Sequence, residues 1–346
     1  MRKVDRRFFA APLLSAILAS VACADVFNMP NGQTSLQFVT VGDPGNAADT
    51  TPGDGSAGFG SVPYICQMGK YDVTIAQYAT FLNAVAASDT YGLYNPLMAN
   101  GFPTFGIARN GSANTTYTYS VVGNGSMPVA FVSWGDAARF CNWLNNGQPT
   151  GLQGDGTTET GAYTLHGATS DPDLLSVSRN PGSRYVIPSE NEWYKAAHYK
   201  GGGTNAGYWL YPTQSDTAPI NTLPDTGNHA NFYDSSGTGT NGYTDPINRL
   251  TPVGTFTSSP GPYGTYDQGG DVYQWVETNV LDLVRVERGG SYGGSVDTLA
   301  STYRAGNPPS NELYVIGFRI AAVPEPQSVV IALLGGGLMW WWSRRP

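Results

Sequence analysis

The chain has 346 residues, enough for one large domain or two ordinary ones, and its 44 glycines and 24 prolines imply turns and long loops with modest regular structure. Its formal charge is −8, and the clustered positive charge sits at the two ends, so the body between them is more acidic still. Such a body repels phosphate backbones, which excludes nucleic-acid binding, while it suits cation binding and solubility outside the cell.

In chain order, residues 1–24 carry Arg2, Lys3, Arg6 and Arg7, an apolar run from Phe8 to Ala22, and Ala22-Cys23-Ala24. This reads as a signal peptide cleaved before Asp25; Ser20-Val21-Ala22 is a poor lipobox for acylation of Cys23. The other cysteines, Cys66 and Cys141, lack a Cys-x-x-Cys spacing, and whether they pair stays open. Phe38–Gly42 reads as a strand, followed by a turn-rich stretch to Gly60 in which Asp43, Asp49 and Asp54 read as solvated turn carboxylates. Thr74 caps a helix over 75–87, with Ile75, Tyr78, Phe81, Leu82 and Val85 on one face. Thr116–Val122 alternates like a strand and Asn124-Gly125 signals a turn, together a hairpin-like segment. Ser133 caps a second helix over Asp136–Leu144, with Ala137, Phe140, Cys141 and Leu144 inward. Ser189 and Glu192 form a capping box for a third helix over 190–199. Residues 145–182 and 200–262 read mostly as loop. Residues 323–346 hold Val-Pro-Glu-Pro, an apolar run Ser328–Trp342 that is short for a stable span, and Arg344-Arg345.

The stretch Tyr266–Ala321 carries the strongest signature. Tyr-Asp-Gln-Gly-Gly-Asp-Val-Tyr-Gln-Trp-Val-Glu opens it, Arg-Gly-Gly-Ser-Tyr comes next at 288–292, then Tyr-Arg at 303–304, and Ile-Gly-Phe-Arg-Ile-Ala at 316–321. Arg288, Arg304 and Arg319 recur among aromatics, as suits a buried polar network. Gly289–Gly293 also fits the Gly-x-Ser-x-Gly nucleophile elbow, but no histidine lies beyond His229 to complete a triad. His166, His198 and His229 are far apart and read as ordinary core or surface residues.

These blocks resemble the formylglycine-generating enzyme (sulfatase-modifying factor) family, which shows Gly-Asn-Val-Trp-Glu-Trp, Arg-Gly-Gly-Ser-Trp and Gly-Phe-Arg at the same places. Gly-Lys-Tyr-Asp-Val-Thr at 69–74, Pro-Val-Ala-Phe-Val-Ser-Trp at 128–134 and Ile-Pro-Ser-Glu-Asn-Glu-Trp at 187–193 extend the likeness over about Phe38–Ala322. The resemblance implies an α+β fold related to C-type lectins, low in regular structure, with long ordered loops. It makes 25–322 one domain. The last residues, 323–346, look like a PEP-CTERM sorting signal, which implies cleavage by an exosortase-type membrane protease, transient membrane association, and delivery to the surface or matrix of a Gram-negative bacterium.

The family's oxidases hold Cu(I) with two cysteines just after the Gly-Gly-Ser-Tyr block. The matching positions here are Gly294 and Leu299 or Ala300, and no cysteine lies beyond Cys141, so copper and the known oxidation are not expected. Two structural calcium sites carry over as expectations. One comprises Asn231, Phe232, Asp245 and Ile247; the other comprises Asp267, Gly270, Val272 and Gln274, with Gln274 standing where the family has glutamate. Ser291, Tyr292 and Arg304 are expected to line the former active-site groove. The sequence thus implies an exported, non-catalytic binding or structural protein whose partner is a polysaccharide or a surface protein. The alternative is an enzyme with altered chemistry on the same scaffold.

Overall fold

A computed structural model describes residues 26–27, 36–50, 58–112 and 116–324. The expected leader and nearly all of the expected sorting signal, together with Asp54, lie outside the described residues. Among those described, no helix is long and apolar enough to cross a membrane.

Strands β1 (Val26–Phe27), β2 (Leu36–Val41) and β3 (Cys66–Gly69) precede helix α1 (Ile75–Val85). The middle of the chain forms β4 (Gly106–Asn110), β5 (Thr118–Val122), α2 (Trp134–Asn145), α3 (Asp171–Ser176), β6 (Tyr185–Val186) and α4 (Glu190–His198). The C-terminal part holds β7 (Tyr273–Val280), β8 (Val284–Arg288), β9 (Ala305–Asn307), β10 (Ile316–Phe318) and β11 (Ala321–Ala322). One sheet is ordered β1-β2-β3-β11-β6 and a second β10-β7-β8-β9. β10 runs parallel to β7, and two residues later β11 pairs with β3 and β6, so the closing strand crosses from one sheet to the other.

Each of the three long helices begins on a capping box, Thr74 with Gln77, Ser133 with Asp136 and Ser189 with Glu192, which satisfies otherwise orphaned N–H groups. Two details differ from the sequence reading. β5 pairs backward with β4, so Asn124-Gly125 is not its hairpin turn; Gly106 instead fits tightly under the Met98 carbonyl. The short α3, capped by Ser170, lies inside a stretch read as loop. From α4 to β7 there is no helix or strand among the described residues, as the composition implied.

The core is aromatic. Phe81, Phe140 and Phe318 meet edge to face at 5.3 and 5.4 Å, joining α1, α2 and β10. Cys66 and Cys141 are buried in this core as free thiols, and burial pushes the Cys66 thiol up to about 12. Arginines, Arg179 half-buried and Arg319 fully buried, tie the layers together. Arg179 forks onto Glu192 of α4 at 2.9 and 3.0 Å and reaches Glu277 of β7 at 2.8 Å. Arg319 donates to the Gly69 and Tyr266 carbonyls at 2.6 Å and stands 3.1 Å from the buried Asp72. The turn carboxylates are likewise bound: Asp43 accepts from Tyr263 and Asp49 from Tyr194.

Candidate functional site

β8 ends at Arg288, and Gly289 and Gly290, both at positive φ, turn the chain across the C-terminal sheet. This turn is stapled to the β7 approach: the Gly270 N–H donates to Gly289 O and the Tyr292 N–H to Asp271 O, both at 2.8 Å. Gly270 is needed for closeness, since a Cβ there would stand 2.1 Å from the Asn231 carbonyl oxygen. On the other side the Tyr233 N–H donates to Gly294 O at 2.9 Å. Three loops therefore converge on Ser291–Gly294.

Ser291 and Tyr292 are buried there. Ser291 Oγ accepts from the Gly293 N–H, and the segment after it is a 3₁₀ turn (Val296–Leu299), not the helix a nucleophile elbow requires. Arg304 forks onto Glu190 at 2.7 and 2.8 Å, and Arg288 holds the same carboxylate from the other side at 2.6 Å. Glu190 thereby joins the start of α4 to β8 and the Arg304 loop. The three expected groove residues thus share a region, but their side chains are committed within the fold.

Above them lies a run of tyrosines that the sequence reading did not pick out. Tyr233 and Tyr243 meet at 4.9 Å, Tyr243 and Tyr292 at 6.2 Å, and Tyr292 and Tyr314 at 6.3 Å. Tyr314 is 51% exposed and Tyr233 38%, while Tyr292 underlies them. The Arg249 guanidinium sits 5.1 Å over the Tyr243 ring, and Phe131, held at φ +61, supports Phe102 beneath Tyr292. No local signal in the sequence announces this surface, because its rings come from loops around 233, 243, 292 and 314. Beside it Tyr303 pairs with Tyr273 at 6.5 Å. Glu287, on neighbouring β8, is pushed up to about 7 by burial and receives the Asn307 amide.

The positions matching the copper cysteines are closed. A Cβ on Gly294 would stand 2.5 Å from Thr298 Oγ1, and Leu299 and its alternative Ala300 are both buried in a cluster with Tyr211, Ala230 and Phe232. The histidines stay apart: His198 bonds Trp209 O, His229 bonds Thr222 O, and His166 is exposed in a loop.

The expected calcium residues fit in part. Asn231 Oδ1 and Asp267 Oδ1 are buried oxygens without a partner among the described residues, as open ligands would be. Asn231 Nδ2 donates to Asp271 at 2.7 Å and to Arg249 O at 2.8 Å, so Asn231 lies beside Gly270 of the second set. Asp245 spends its carboxylate on its own turn, receiving the Ile247 and Asn248 N–H groups and the Asn248 amide, and the Ile247 side chain is exposed. The Phe232 carbonyl already accepts from Asn221. Gln274 Oε1 is taken by Trp193 at 2.6 Å and Arg319 at 3.1 Å, and its amide binds Asp267 O. Val272 is buried. Among the described residues, no group of three or more His, Cys, Asp or Glu side chains converges as a metal cluster.

No curated protein matches the sequence significantly. Solved structures with a similar fold include Treponema denticola variable protein 1, at 19% identity over 87% of this chain and 99% of that one with a TM-score of 0.49. PvdO from Pseudomonas aeruginosa matches at 19% identity over 87% and 98%, TM-score 0.47, and CarF at 19% over 84% and 98%, TM-score 0.44. The family of the sulfatase-modifying factor enzyme 1-like domain matches residues 64–323, three quarters of the sequence, and the chain belongs to that family.

Proposed function

We propose that this chain is an exported, ligand-binding member of its family that has left the copper oxidation behind. One observation carries the reading: at the positions matched to the thiols stand a glycine whose Cβ would meet the Thr298 side chain, and Leu299 or Ala300, both packed into a core cluster. Thiolates are what would hold Cu(I), and the two cysteines among the described residues, Cys66 and Cys141, are buried in the core far along the chain from this turn. The surface over the turn offers rings instead. Tyr233, Tyr243 and Tyr314, with Arg249, make a shallow aromatic face suited to stacking on sugars or on peptide side chains. A polysaccharide of the extracellular matrix or a surface protein is the partner of that face. Calcium binds at Asn231 and Asp267, where an oxygen in each case lacks a proton donor. The two ends of the sequence support export, and the Pro-Glu-Pro tail supports processing by an exosortase-type protease.

The test is a pair of assays on purified protein. Copper with a cysteine-containing sulfatase peptide is expected to yield no formylglycine; product formation overturns the proposal. A glycan array and a matrix pull-down are expected to give a signal that Tyr314→Ala and Tyr233→Ala each weaken about 5- to 30-fold, the loss of one stacked ring at about 1–2 kcal/mol. An enzyme with altered chemistry is favoured instead if Glu287→Gln abolishes turnover of an exported substrate, since that carboxyl is poised near neutral pH.

A further inference from the structure

The tyrosine face holds an arginine that the fold leaves uncommitted. Arg288 and Arg304, the other arginines described at this site, are both spent on Glu190. Arg249 is exposed, and among the described residues its guanidinium meets no carboxylate and donates to no carbonyl. It lies instead 5.1 Å over the Tyr243 ring, and its charge faces the Tyr292 hydroxyl. A guanidinium stacked on a ring keeps the N–H groups along its edge free to fork onto an acceptor. The placement is enforced by the backbone. Arg249 sits at φ +68, a conformation that residues other than glycine rarely adopt. Its turn is held on both sides: the Arg249 N–H donates to Asp245 O and the Leu250 N–H to Asn248 O, each at 2.8 Å, while the Arg249 carbonyl accepts the Asn231 amide and the Thr251 N–H reaches buried Asp271, also at 2.8 Å. Strain kept by so many bonds marks the side chain it aims. The carboxylates beside these loops do not answer the charge. Asp245 is closed onto the Ile247 and Asn248 N–H groups, and Asp234, next to Tyr233, onto those of Ser236, Gly239 and Asn241.

We infer that the ligand of this face is a sparsely charged acidic polysaccharide: the carboxylate of one uronic-acid unit forks onto Arg249, and neutral sugars on either side stack on Tyr233 and Tyr314. The inference rests on the tyrosine face being a ligand site, as the proposed function holds. One guanidinium calls for one carboxylate. The charge sits in the middle of the row, against Tyr243 and Tyr292, and the exposed rings of Tyr233 and Tyr314 lie beyond it at centroid spacings of 4.9 Å on one side and 6.3 Å on the other. A polymer with a carboxylate on every unit meets a single cation here and an acidic body around it, so it is repelled as a phosphate backbone is. An isolated carboxylate is screened from charges farther than about 8 Å at physiological ionic strength and keeps its contact with the guanidinium. None of the four tyrosines lies in a strand, so the row offers no strand edge for a peptide to extend.

The test sets the full chain against an array of oligosaccharide pairs that differ only in whether a single uronate is intact or reduced to the neutral sugar, together with oligogalacturonides charged on every unit. Intact members are expected to bind about 10-fold more tightly than their reduced partners, the scale of hydrogen bonds to a charged group, and more tightly than the oligogalacturonides. Arg249→Asn, which accepts the left-handed turn and is expected to leave Tm unchanged, brings the two members of each pair to the same affinity. Arg249→Lys restores the preference in part, since an ammonium cannot fork. Equal binding of intact and reduced members, or a preference that survives Arg249→Asn, overturns the acidic-sugar inference and leaves the tyrosine face standing as a neutral-sugar site. Tightest binding to the oligogalacturonides overturns the sparse charge. Silence across the array overturns the inference; if a matrix pull-down then gives a signal that protease removes, the face belongs to a protein partner, and if the pull-down is silent too, the ligand reading of the tyrosine face falls with it.

Discussion

Gly294 shows how a single residue closes a site. Restoring a thiol there forces its Cβ against Thr298, and restoring its partner removes Leu299 from a packed cluster. Gly294→Cys/Leu299→Cys is therefore expected to lose about 2–4 kcal/mol of stability in chemical denaturation, the scale of a large-to-small core change, and to gain no oxidase activity. Arg304 makes a second residue-scale case. It is one of two arginines on the buried Glu190, with its own side chain about one-fifth exposed. Arg304→Ala is expected to cost roughly 1–2 kcal/mol, less than a fully buried pair would, because Arg288 remains and water reaches the vacated side. Arg304→Lys should recover only part of this, since an ammonium cannot fork onto both carboxylate oxygens.

Among the elements, α4 was the most legible and the most committed. Ser189 and Glu192 announce its start from three residues apart, and the structure has both bonds of the box. The same Glu192 also meets Arg179 and Tyr64, and Glu190 meets two more arginines, so the first turn of α4 serves cap and crosslink together. Ser189→Ala is expected to lower stability by about 1 kcal/mol while leaving the ion pairs in place, measurable as a shift in the denaturation midpoint with unchanged slope. β5 was legible as a strand but its partner was not. It pairs antiparallel with β4, Gly106 opposite Val122, and of its five residues only Tyr119 is buried, so the alternation in sequence does not mark an inward face.

Across the whole molecule, carboxyls are buried faster than cations can pair with them. Burial holds Asp136 and Asp267 up at about 6 and Glu287 at about 7; Asp271, also facing Asp267, is at about 7, and Glu312, also facing Asp136, at about 8. Each binds its proton more tightly folded than unfolded. Between about pH 4 and pH 8 the folded chain therefore carries more protons, and stability falls as pH rises through that window before levelling off. His198, pressed down to about 3 by burial, opposes this, because the unfolded chain gains its proton first as pH drops below about 6.5. Asp72, Asp89 and Glu277 are raised by burial as well, and together these carboxyls outweigh His198, leaving Tm several degrees lower at pH 8 than at pH 5. Calcium at Asp267 and Asn231 is expected to raise Tm at pH 8 and to flatten this dependence, and a Tm indifferent to calcium and chelator removes the ion from the proposal.

What the sequence determined by itself was local or compositional. The three capped helices, the loop-rich stretch from 200 to 262 and the missing thiols beyond Cys141 all come from residues a few positions apart or from simple absence. The block order was enough to indicate the family and its fold. Tertiary structure decided everything that depends on which distant groups meet. It took Ser291 and Tyr292 into the interior, tied the half-buried Arg304 to Glu190, raised Tyr233, Tyr243 and Tyr314 over them, and set Arg319 against Gly69, 250 residues away. The reason is physical: a cap is satisfied within one turn, whereas a buried charge or an exposed ring acquires its role only when separate loops pack together.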